Sequence, residues 1–507
     1  MYRKIKLFVV SLFFLGLNLY FQKSFAQFSL GAQLRTRAEI RDGFANLLPN
    51  IARSSSFVSQ RTRMIFGYKY NKLNFGISIQ DVRVWGQDAS TISSNDGNRL
   101  SMHEGWAEII LANRADSTNR FNFLDHLSVK IGRQELIYDD ARLIGNLDWL
   151  QQARRFDMVL IKTLHKGWQL DIGYAYNQNN ENLSGDFYIP GNVPQYVKND
   201  IGVLVPTPAG MVPLLNAAGN SSATGNPAYT NPPATNGGTQ DYKNFISIFT
   251  SKKFHQTKLS GLYFQDDFGK YRPGNTEAGG GNVFGRYFDV TGTSDRYTYG
   301  GMLLQTVGST NGLGKIALQR AYYKQNGRDR DNKLLNAYHY TASLNYTKGK
   351  FSLGPGYDVL SGNKNGMSPT ESGRFDPLYG TPHKFWGVMD YFYAGTGSPN
   401  EGLKNTYFKT KFSTTRYSLG IDYHHFKAAN PPTSTTEKYL ANELDFSATY
   451  NLNKFTTVDF GYSLLQATAA LSFSKNQSPV IPAASFDKSA QWAYLMINIR
   501  PEFIPKN

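Results

Sequence analysis

The chain has 507 residues, a net charge of +16 and no cysteine, and 14% of its residues are aromatic. The lack of cysteine excludes disulfides, thiol chemistry and lipoprotein acylation. The surplus of positive charge favours anionic partners.

The N-terminus has the order of a secretory signal peptide. Arg3, Lys4 and Lys6 precede an apolar run from Leu7 to Phe21, and Ser24-Phe25-Ala26 follows before Gln27. This pattern predicts a signal peptide over residues 1–26. A single membrane anchor is the alternative, but the run is short for a bilayer. Residues 1–26 carry four basic and no acidic side chains, so the remainder has a net charge of +12. Beyond Leu30, no apolar stretch approaches the roughly 20 residues that a membrane helix needs.

Segment 28–41 alternates between apolar side chains at even positions, such as Leu30 and Ile40, and polar ones at odd positions, such as Arg35. Such alternation predicts a strand with lipid on one side and water on the other. Eighteen segments qualify as strands: about 28–41, 57–70, 72–86, 101–113, 126–138, 155–165, 168–177, 242–254, 257–267, 296–308, 313–324, 336–347, 350–361, 402–413, 416–427, 439–451, 454–467 and 488–503.

Short turns alternate with long loops along this series, as in bacterial outer-membrane barrels. The connection at 114–125 is the exception, being long on the periplasmic side. We therefore predict an all-β protein, a single transmembrane antiparallel barrel of about 18 strands over residues 27–507, with long extracellular loops. A soluble solenoid or sandwich is the alternative, but the sequence shows no internal repeat.

Some segments leave questions open. Near Asp81-Val82-Arg83, Arg133 and Arg320, charged residues share the parity of the apolar set. Either a bulge shifts the register there or these residues lie above the membrane. The loop at 178–241, with Asn-Pro-Pro at 231–233 and Asn-Gly-Gly at 236–238, has the composition of an irregular, mobile excursion. Whether it acts as a lid is open.

The first two predicted strands carry a basic stripe on their water-facing side, consisting of Arg35, Arg37, Arg41, Arg61, Arg63 and Lys69. Guanidinium groups bind carboxylates through paired hydrogen bonds, so the stripe favours a carboxylate-bearing substrate. The alternative is a structural network in which Glu39, Glu104, Glu108, Glu443 and Asp445 neutralise the stripe.

Segment 132–157 contains four arginines, Arg133, Arg142, Arg154 and Arg155, and five acids, Glu135, Asp139, Asp140, Asp148 and Asp157. Exposed ion pairs stabilise a protein by only about 0–1 kcal/mol. We therefore expect the loop after Tyr138 to fold partly inward, where Arg142, Arg154 or Arg155 pairs with Asp139, Asp140 or Asp148 and constricts the pore.

Signals of catalysis are poor, since the sequence contains no HExxH, Walker or G-x-S-x-G motif. The adjacent His424 and His425 point to opposite faces of a predicted strand and cannot hold one metal together. We predict no enzymatic activity, no catalytic or metal site and no cofactor.

Several motifs resemble the alginate export family. The first is Gly132-Arg133-Gln134-Glu135 with Arg142-Leu143-Ile144-Gly145, Asp148-Trp149, Gln152 and Arg155-Phe156-Asp157. The second is Gly356-Tyr357-Asp358 with Ser361-Gly362-Asn363, Phe375-Asp376-Pro377-Leu378-Tyr379-Gly380, His383-Lys384-Phe385 and Met389-Asp390; Gln80-Asp81-Val82-Arg83 is also typical. The resemblance implies an 18-stranded barrel with an arginine-rich lumen, in a family whose best-known member secretes alginate.

Together these features predict an anion-selective channel of the bacterial outer membrane. The signal peptide would direct the export of the protein to that membrane. It would pass an anionic polysaccharide or a related anionic solute. The alternative is a general diffusion porin whose lumenal charges are structural. The expected partners are outer-membrane lipid, lipopolysaccharide and the anionic solute. We expect a monomer and no nucleic-acid ligand. Periplasmic secretion partners are left open.

Overall fold

A computed structural model describes residues 27–86, 100–114, 124–178, 181, 188–189, 193–216, 218–228, 242–393, 399–432, 437–475 and 485–505. The predicted signal peptide, residues 1–26, lies outside the described residues, as does most of the connection at 114–125. Within the described ranges, no helix has the length and apolarity needed to cross a bilayer.

The described strands, in chain order, are β1 (Gln27–Asp42), β2 (Ser55–Tyr70), β3 (Leu73–Val84), β4 (Leu100–Asn113), β5 (His126–Gln134), β6 (Phe156–His165), β7 (Trp168–Tyr176), β8 (Tyr196–Lys198), β9 (Leu204–Pro206), β10 (Met211–Leu215), β11 (Asn226–Pro227), β12 (Tyr242–Phe254), β13 (Thr257–Gly269), β14 (Arg272–Ala278), β15 (Gly281–Tyr287), β16 (Thr293–Ser309), β17 (Gly314–Arg328), β18 (Leu334–Lys348), β19 (Phe351–Leu360), β20 (Glu371–Ser372), β21 (Leu403–Ser413), β22 (Tyr417–Ala428), β23 (Tyr439–Asn453), β24 (Thr456–Ala467), β25 (Ser489–Ile499) and β26 (Glu502–Ile504). The described ranges also contain two short helices, a 3-10 turn at Pro382–Lys384 and α1 at Ala469–Lys475.

Eighteen of these strands, β1–β7, β12, β13, β16–β19 and β21–β25, pair antiparallel with their neighbours into a closed barrel. Closure comes from β1, in which Leu34 lies opposite both Thr62 of β2 and Ile499 of β25. The predicted 18-stranded barrel is confirmed. Its last span differs slightly from prediction, since β25 ends at Ile499 and β26 resumes pairing with β1 after a register shift.

The predicted alternation holds along the barrel wall. In β1, the odd-numbered Arg35 and Arg37 are each 3% exposed in the interior, whereas Phe28 and Ile40 are exposed on the outer face. Tyrosines such as Tyr174, Tyr322 and Tyr338 are exposed on that outer face near the long-loop end. An aromatic belt of this kind is typical of membrane interfaces. Because outer-membrane barrels have short periplasmic turns and long outer loops, the long loops mark the extracellular end.

The charged residues that break the parity stay on the outer face. The register of β2 with β3 is continuous past Asp81, and Arg83 binds Asp81 at 2.6 Å on that face. A bulge does lie near Asp81, because the pairing of β3 with β4 shifts register between Ser78 and Ile79, but the extra residue is in β4 and leaves the outward direction of Asp81 and Arg83 unchanged. No register shift occurs in the pairings on either side of Arg320. Asp81 and Arg83 lie close to the extracellular end of β3.

Part of the loop at 178–241 forms regular strands rather than irregular structure. Strands β10 and β11 join β14 and β15 of the next extracellular loop in a four-stranded sheet, and β8 pairs with β9. Val197, Val205, Met211 and Val283 form a small core beneath them. The prediction of an irregular, mobile loop is wrong for residues 193–228, apart from residue 217, because the stabilising partner β15 lies in a distant loop. The Pro-Pro and Gly-Gly segments lie outside the described residues.

Two loops occupy the barrel interior. We call them loop A, residues 135–155 between β5 and β6, and loop B, residues 361–393 after β19. Both contribute to one buried apolar cluster, Leu143 and Ile144 from loop A and Phe375, Tyr379 and Trp386 from loop B. Aromatic side chains of the wall, Phe245 and Phe264, complete this cluster. The lumen is therefore plugged by its own loops, as in some outer-membrane barrels.

Candidate functional site

Loop A folds inward, as the sequence predicts, and it lies against the basic stripe of β1 and β2, a contact that the sequence did not predict. Arg35 donates hydrogen bonds to the carbonyl oxygens of Asp148 (2.7 Å) and Leu150 (3.1 Å) and to the amide oxygen of Gln151 (3.0 Å). Arg37 donates to the carbonyl of Trp149 at 2.9 Å, and its guanidinium lies 4.2 Å from the centre of that indole ring.

The second strand of the stripe holds the next residues of loop A. Arg61 donates to the carbonyl of Gln151 at 3.2 Å, and Gln80 donates to that of Gln152 at 3.0 Å. Arg63 donates to the amide oxygen of Gln80 at 2.7 Å. Backbone carbonyls that leave a β-ladder need other donors, and guanidinium groups supply five each. The stripe thus satisfies the carbonyls of residues 148 to 151, and Gln80 satisfies that of residue 152.

Asp148 provides the charged contact between loop A and the wall. Its carboxylate pairs with Arg35 at 3.2 Å and with Arg61 at 2.9 Å. Burial alone raises the pKa of Asp148, but the positive charges of Arg61 and Arg35 outweigh it and hold the pKa below its usual value. Asp148 is therefore ionised at neutral pH and neutralises part of the stripe.

The remaining basic residues of the stripe lie away from this contact. Arg41 pairs with Glu39 at 2.8 Å and stacks over Phe44. Lys69 is exposed near the periplasmic end of β2 and lines a cavity of about 370 Å³. Of the proposed neutralising acids, Glu39 contacts Arg37 and Arg41, whereas Glu108 pairs with Lys162 and Glu443 accepts a hydrogen bond from the Met389 amide.

The charged residues of loop A are fixed to the wall and to loop B. Arg142 pairs with Asp140 at 3.3 Å and with the fully buried Asp358 of β19 at 3.0 Å. Asp139 pairs with Lys258 of β13 at 2.9 Å and accepts a hydrogen bond from Ser260. Arg142 thus forms one of the expected pairs within the loop, but most partners come from elsewhere in the chain.

Arg154 and Arg155 are buried at the end of loop A. Arg154 donates to the carbonyl of Gly380 in loop B at 2.5 Å, and burial lowers its pKa to about 10. Arg155 donates to the carbonyl of Gln152 at 3.4 Å. These side chains hold loop conformations rather than pairing with Asp139, Asp140 or Asp148.

Arg133 does not face the lumen. It lies opposite Asp157 of β6 and binds its carboxylate through two hydrogen bonds of 2.8 Å. The adjacent Gln134 and Phe156 are fully buried in the interior. Because successive side chains of a strand point to opposite faces, Arg133 and Asp157 lie on the outer face. The prediction of a lumenal Arg133 is corrected accordingly.

Loops A and B are joined directly. The amides of Gly145 and Tyr379 donate to the carbonyls of Tyr379 and Leu143, each at 2.9 Å, and Thr381 donates to Ala141 at 2.8 Å. A side chain at Gly380 would place its Cβ 1.9 Å from the carbonyl oxygen of Arg142. The two loops thus form one plug.

Loop B is anchored to the opposite wall by a network of polar contacts that the sequence pattern did not predict. Arg296 binds Asp266 and, at 2.7 Å, Asp376, while the hydroxyl of Tyr379 donates to Asp266 at 2.6 Å. Loop B buries seven aromatic side chains, Phe375, Tyr379, Phe385, Trp386, Tyr391, Phe392 and Tyr393. A connection so rich in aromatic residues is the sequence signal that could have predicted its position in the barrel interior.

Several non-glycine residues of the plug have strained, left-handed backbone conformations. Ala141, Leu147 and Ala153 in loop A, and Leu378 and Tyr393 in loop B, have φ between 47° and 68°. Left-handed conformations cost such residues of order 1 kcal/mol or more each. They persist only where the surroundings determine them, so the plug conformation depends on the contacts described above.

Beneath the plug, a cavity of about 460 Å³ opens on the periplasmic side. Arg61, Arg63 and Arg500 line it together with Glu135, Asp148 and Glu502. Glu135 is held by His103 at 2.8 Å and by Asn146 at 2.8 Å. The lining thus presents three basic and three acidic side chains, an arrangement that can bind a small polar solute. Among the described residues, no group of acids and histidines has the geometry of a metal site.

The fold and the plugged, arginine-lined lumen define an outer-membrane β-barrel channel. Residues 26–176 match the sequence profile of the alginate export family, so the resemblance is confirmed over β1–β7 and the whole of loop A. The second group of motifs, in β19 and loop B, lies beyond the matched residues.

Solved structures with the same fold include Acinetobacter baumannii OccAB1, at 12% identity and a TM-score of 0.55, with 95% of this chain and 99% of that chain covered. The outer membrane protein opdK from Pseudomonas aeruginosa matches at 10% identity and a TM-score of 0.53, with coverages of 94% and 99%. No protein matches in the comparison with curated sequences.

Proposed function

We propose that this channel is anion-selective and passes carboxylate-bearing solutes, either an anionic polysaccharide of the alginate type or a smaller relative of it. The supporting observation is the surplus of positive charge on one lumenal wall. Arg35, Arg37, Arg41 and Arg61 contact only two carboxylates, Glu39 and Asp148, within the described chain. Arg63 adds a further cation beside the cavity. A lumenal wall with a surplus of one sign of charge concentrates ions of the other sign.

The plug favours the smaller solute in this conformation. A polysaccharide needs a continuous passage, and loops A and B fill the space between opposite walls. The similar Pseudomonas aeruginosa OpdK has been solved with vanillate, a small carboxylate. A solute of that size is in keeping with the cavity of about 460 Å³. Passage of a polymer would require displacement of the plug. One chain suffices, because the barrel closes on itself.

A general diffusion porin is the second candidate, and one observation favours it. The guanidinium groups of Arg35, Arg37 and Arg61 donate to backbone carbonyls of loop A, which is a structural use of the stripe. In that case the arginines hold the plug and their charges leave solute selection unchanged. Arg63 distinguishes the two candidates because its contacts are with Gln80 of the wall.

The test is the reversal potential in planar bilayers under a KCl gradient, with wild type, Arg63→Gln and the control Arg114→Gln. Arg114 is exposed on the periplasmic side and pairs with Asp125, so its replacement makes the same charge change outside the lumen. Anion selectivity should fall in Arg63→Gln and stay unchanged in the control. Equal ratios in all three proteins, together with equal liposome uptake of a uronate and a neutral sugar of the same size, would favour the general porin.

A further inference from the structure

A second cavity, of about 500 Å³, lies at the extracellular rim, outside the lumen. It opens between the ends of β17, β18 and β21 and the start of loop B. Lys324, Lys364 and Lys404 line it, and Glu371 is the one acid among its lining residues. The cavity therefore carries a net positive charge.

The strand parity places the wall of this cavity on the outer face. Leu403 and Asn405 are fully buried inside the barrel, so Lys404 between them points outward. Tyr323 and Gln325 are likewise buried, which directs Lys324 outward. Leu334 and Tyr338, also part of the lining, are 53% and 41% exposed. The cavity thus combines ammonium groups with apolar surface at the membrane boundary.

The lysines of the cavity outnumber its one acid, Glu371, and none of them is held in an ion pair with it. Lys404 lies directly opposite Lys427 of β22 on the same outer face, and like charges in that position destabilise a sheet. In the part of the chain that the structure describes, none of Lys324, Lys364, Lys404 and Lys427 forms an ion pair with a carboxylate; Lys324 donates to Asn336. A bound anion would relieve this repulsion.

The position indicates what the anion is. Lys324 lies directly opposite Tyr338 in the extracellular aromatic belt, a level occupied by lipid headgroups. Ammonium groups bind phosphate as compact point charges, and the apolar side of the cavity suits acyl chains. We propose that this cavity binds the phosphorylated headgroup of an outer-leaflet glycolipid. The proposal is independent of which solute the channel passes.

The experiment is a titration of the purified full-length barrel in detergent with bisphosphorylated lipid A, followed by native mass spectrometry. The variant K324Q/K364Q/K404Q should bind roughly 100-fold more weakly, because each lysine near an anionic lipid surface contributes roughly fivefold. The matched control K348Q/K350Q/K454Q removes three exposed lysines from the periplasmic turns and should bind like wild type. If the triple variant does not fold, Lys404→Gln alone should show the roughly fivefold loss.

Two further probes separate the possible ligands. Lipid A with its phosphates removed should bind far more weakly than the bisphosphorylated form; equal binding would overturn phosphate recognition. Inorganic phosphate at the concentration of the lipid should leave the lipid bound; full displacement would identify a site for free phosphate and overturn the lipid proposal. Equal binding by the triple variant and its control would also overturn it.

Discussion

Asp148→Asn tests whether the ion pairs hold loop A in the lumen. The substitution keeps the size of the side chain and removes the charge that pairs with Arg35 and Arg61. Both arginines are almost fully buried, so neither regains full hydration when its partner is lost. We expect the loop to leave the wall more often in this variant.

The size of the effect follows from the contacts that remain. A hydrogen bond to a charged group contributes about 1.5–3 kcal/mol. The side chain of Asp148 is 36% exposed, which places the pair toward the lower end, and the arginines keep their bonds to carbonyls 148 to 151. A loss of about 2 kcal/mol corresponds to a roughly 30-fold rise in the population of the displaced loop.

Single-channel recording in planar bilayers measures this population as the fraction of time spent in a higher-conductance state. The deletion of residues 141–153 defines that state, because it removes most of loop A. It should raise conductance permanently and weaken block by added polyuronate. The Asp148→Asn channel should spend about 30 times more of its time at this conductance level than the wild-type channel does.

The control is Asp125→Asn, which removes an ion pair with Arg114 in the periplasmic connection. It changes charge to the same extent and should leave the conductance pattern unchanged. If Asp148→Asn behaves like this control while the deletion opens the pore, the ion pairs do not hold the loop. If the folded deletion variant conducts like wild type, loop A does not restrict the pore.

Three further predictions concern the barrel, the junction of the loops and pH. The purified protein in detergent should show heat-modifiable gel mobility and a strand-dominated far-ultraviolet circular dichroism spectrum, and a helical spectrum would contradict the fold. Gly380→Ala should lower the Tm and destabilise the plug, because the new Cβ would lie 1.9 Å from the carbonyl oxygen of Arg142. The control Gly312→Ala should leave the Tm unchanged, because the nearest atom to its Cβ would be 3.8 Å away. Equal Tm values for the two variants would contradict the close approach. The lowered pKa of Asp148 stabilises the plug fully above about pH 4, the range of an unfolded aspartate, and this stabilisation is lost as pH falls through the lower pKa of the folded state. Visits to the open level should therefore be constant from about pH 5 to about pH 8 and increase below about pH 4, and an increase near neutral pH would contradict this assignment.

The sequence by itself determined the barrel and the inward course of loop A. Alternation with period 2 is a local property, so it identifies strands such as 28–41 without knowledge of their partners. The density of charge in segment 132–157 is also visible locally, and it correctly indicates a loop that is not a passive turn.

Only the tertiary structure decided the partners of these charges. Arg35 meets Asp148 across 113 positions of sequence and Arg142 meets Asp358 across 216, and no local pattern specifies such contacts. In the sequence, loop B was noted only for its resemblance to a family motif, yet it forms the plug together with loop A. Arg133 lies on the outer face because Gln134 points inward, a choice of register that depends on barrel packing. The aromatic residues Phe245 and Phe264 face the lumen because the plug, rather than water, fills it there.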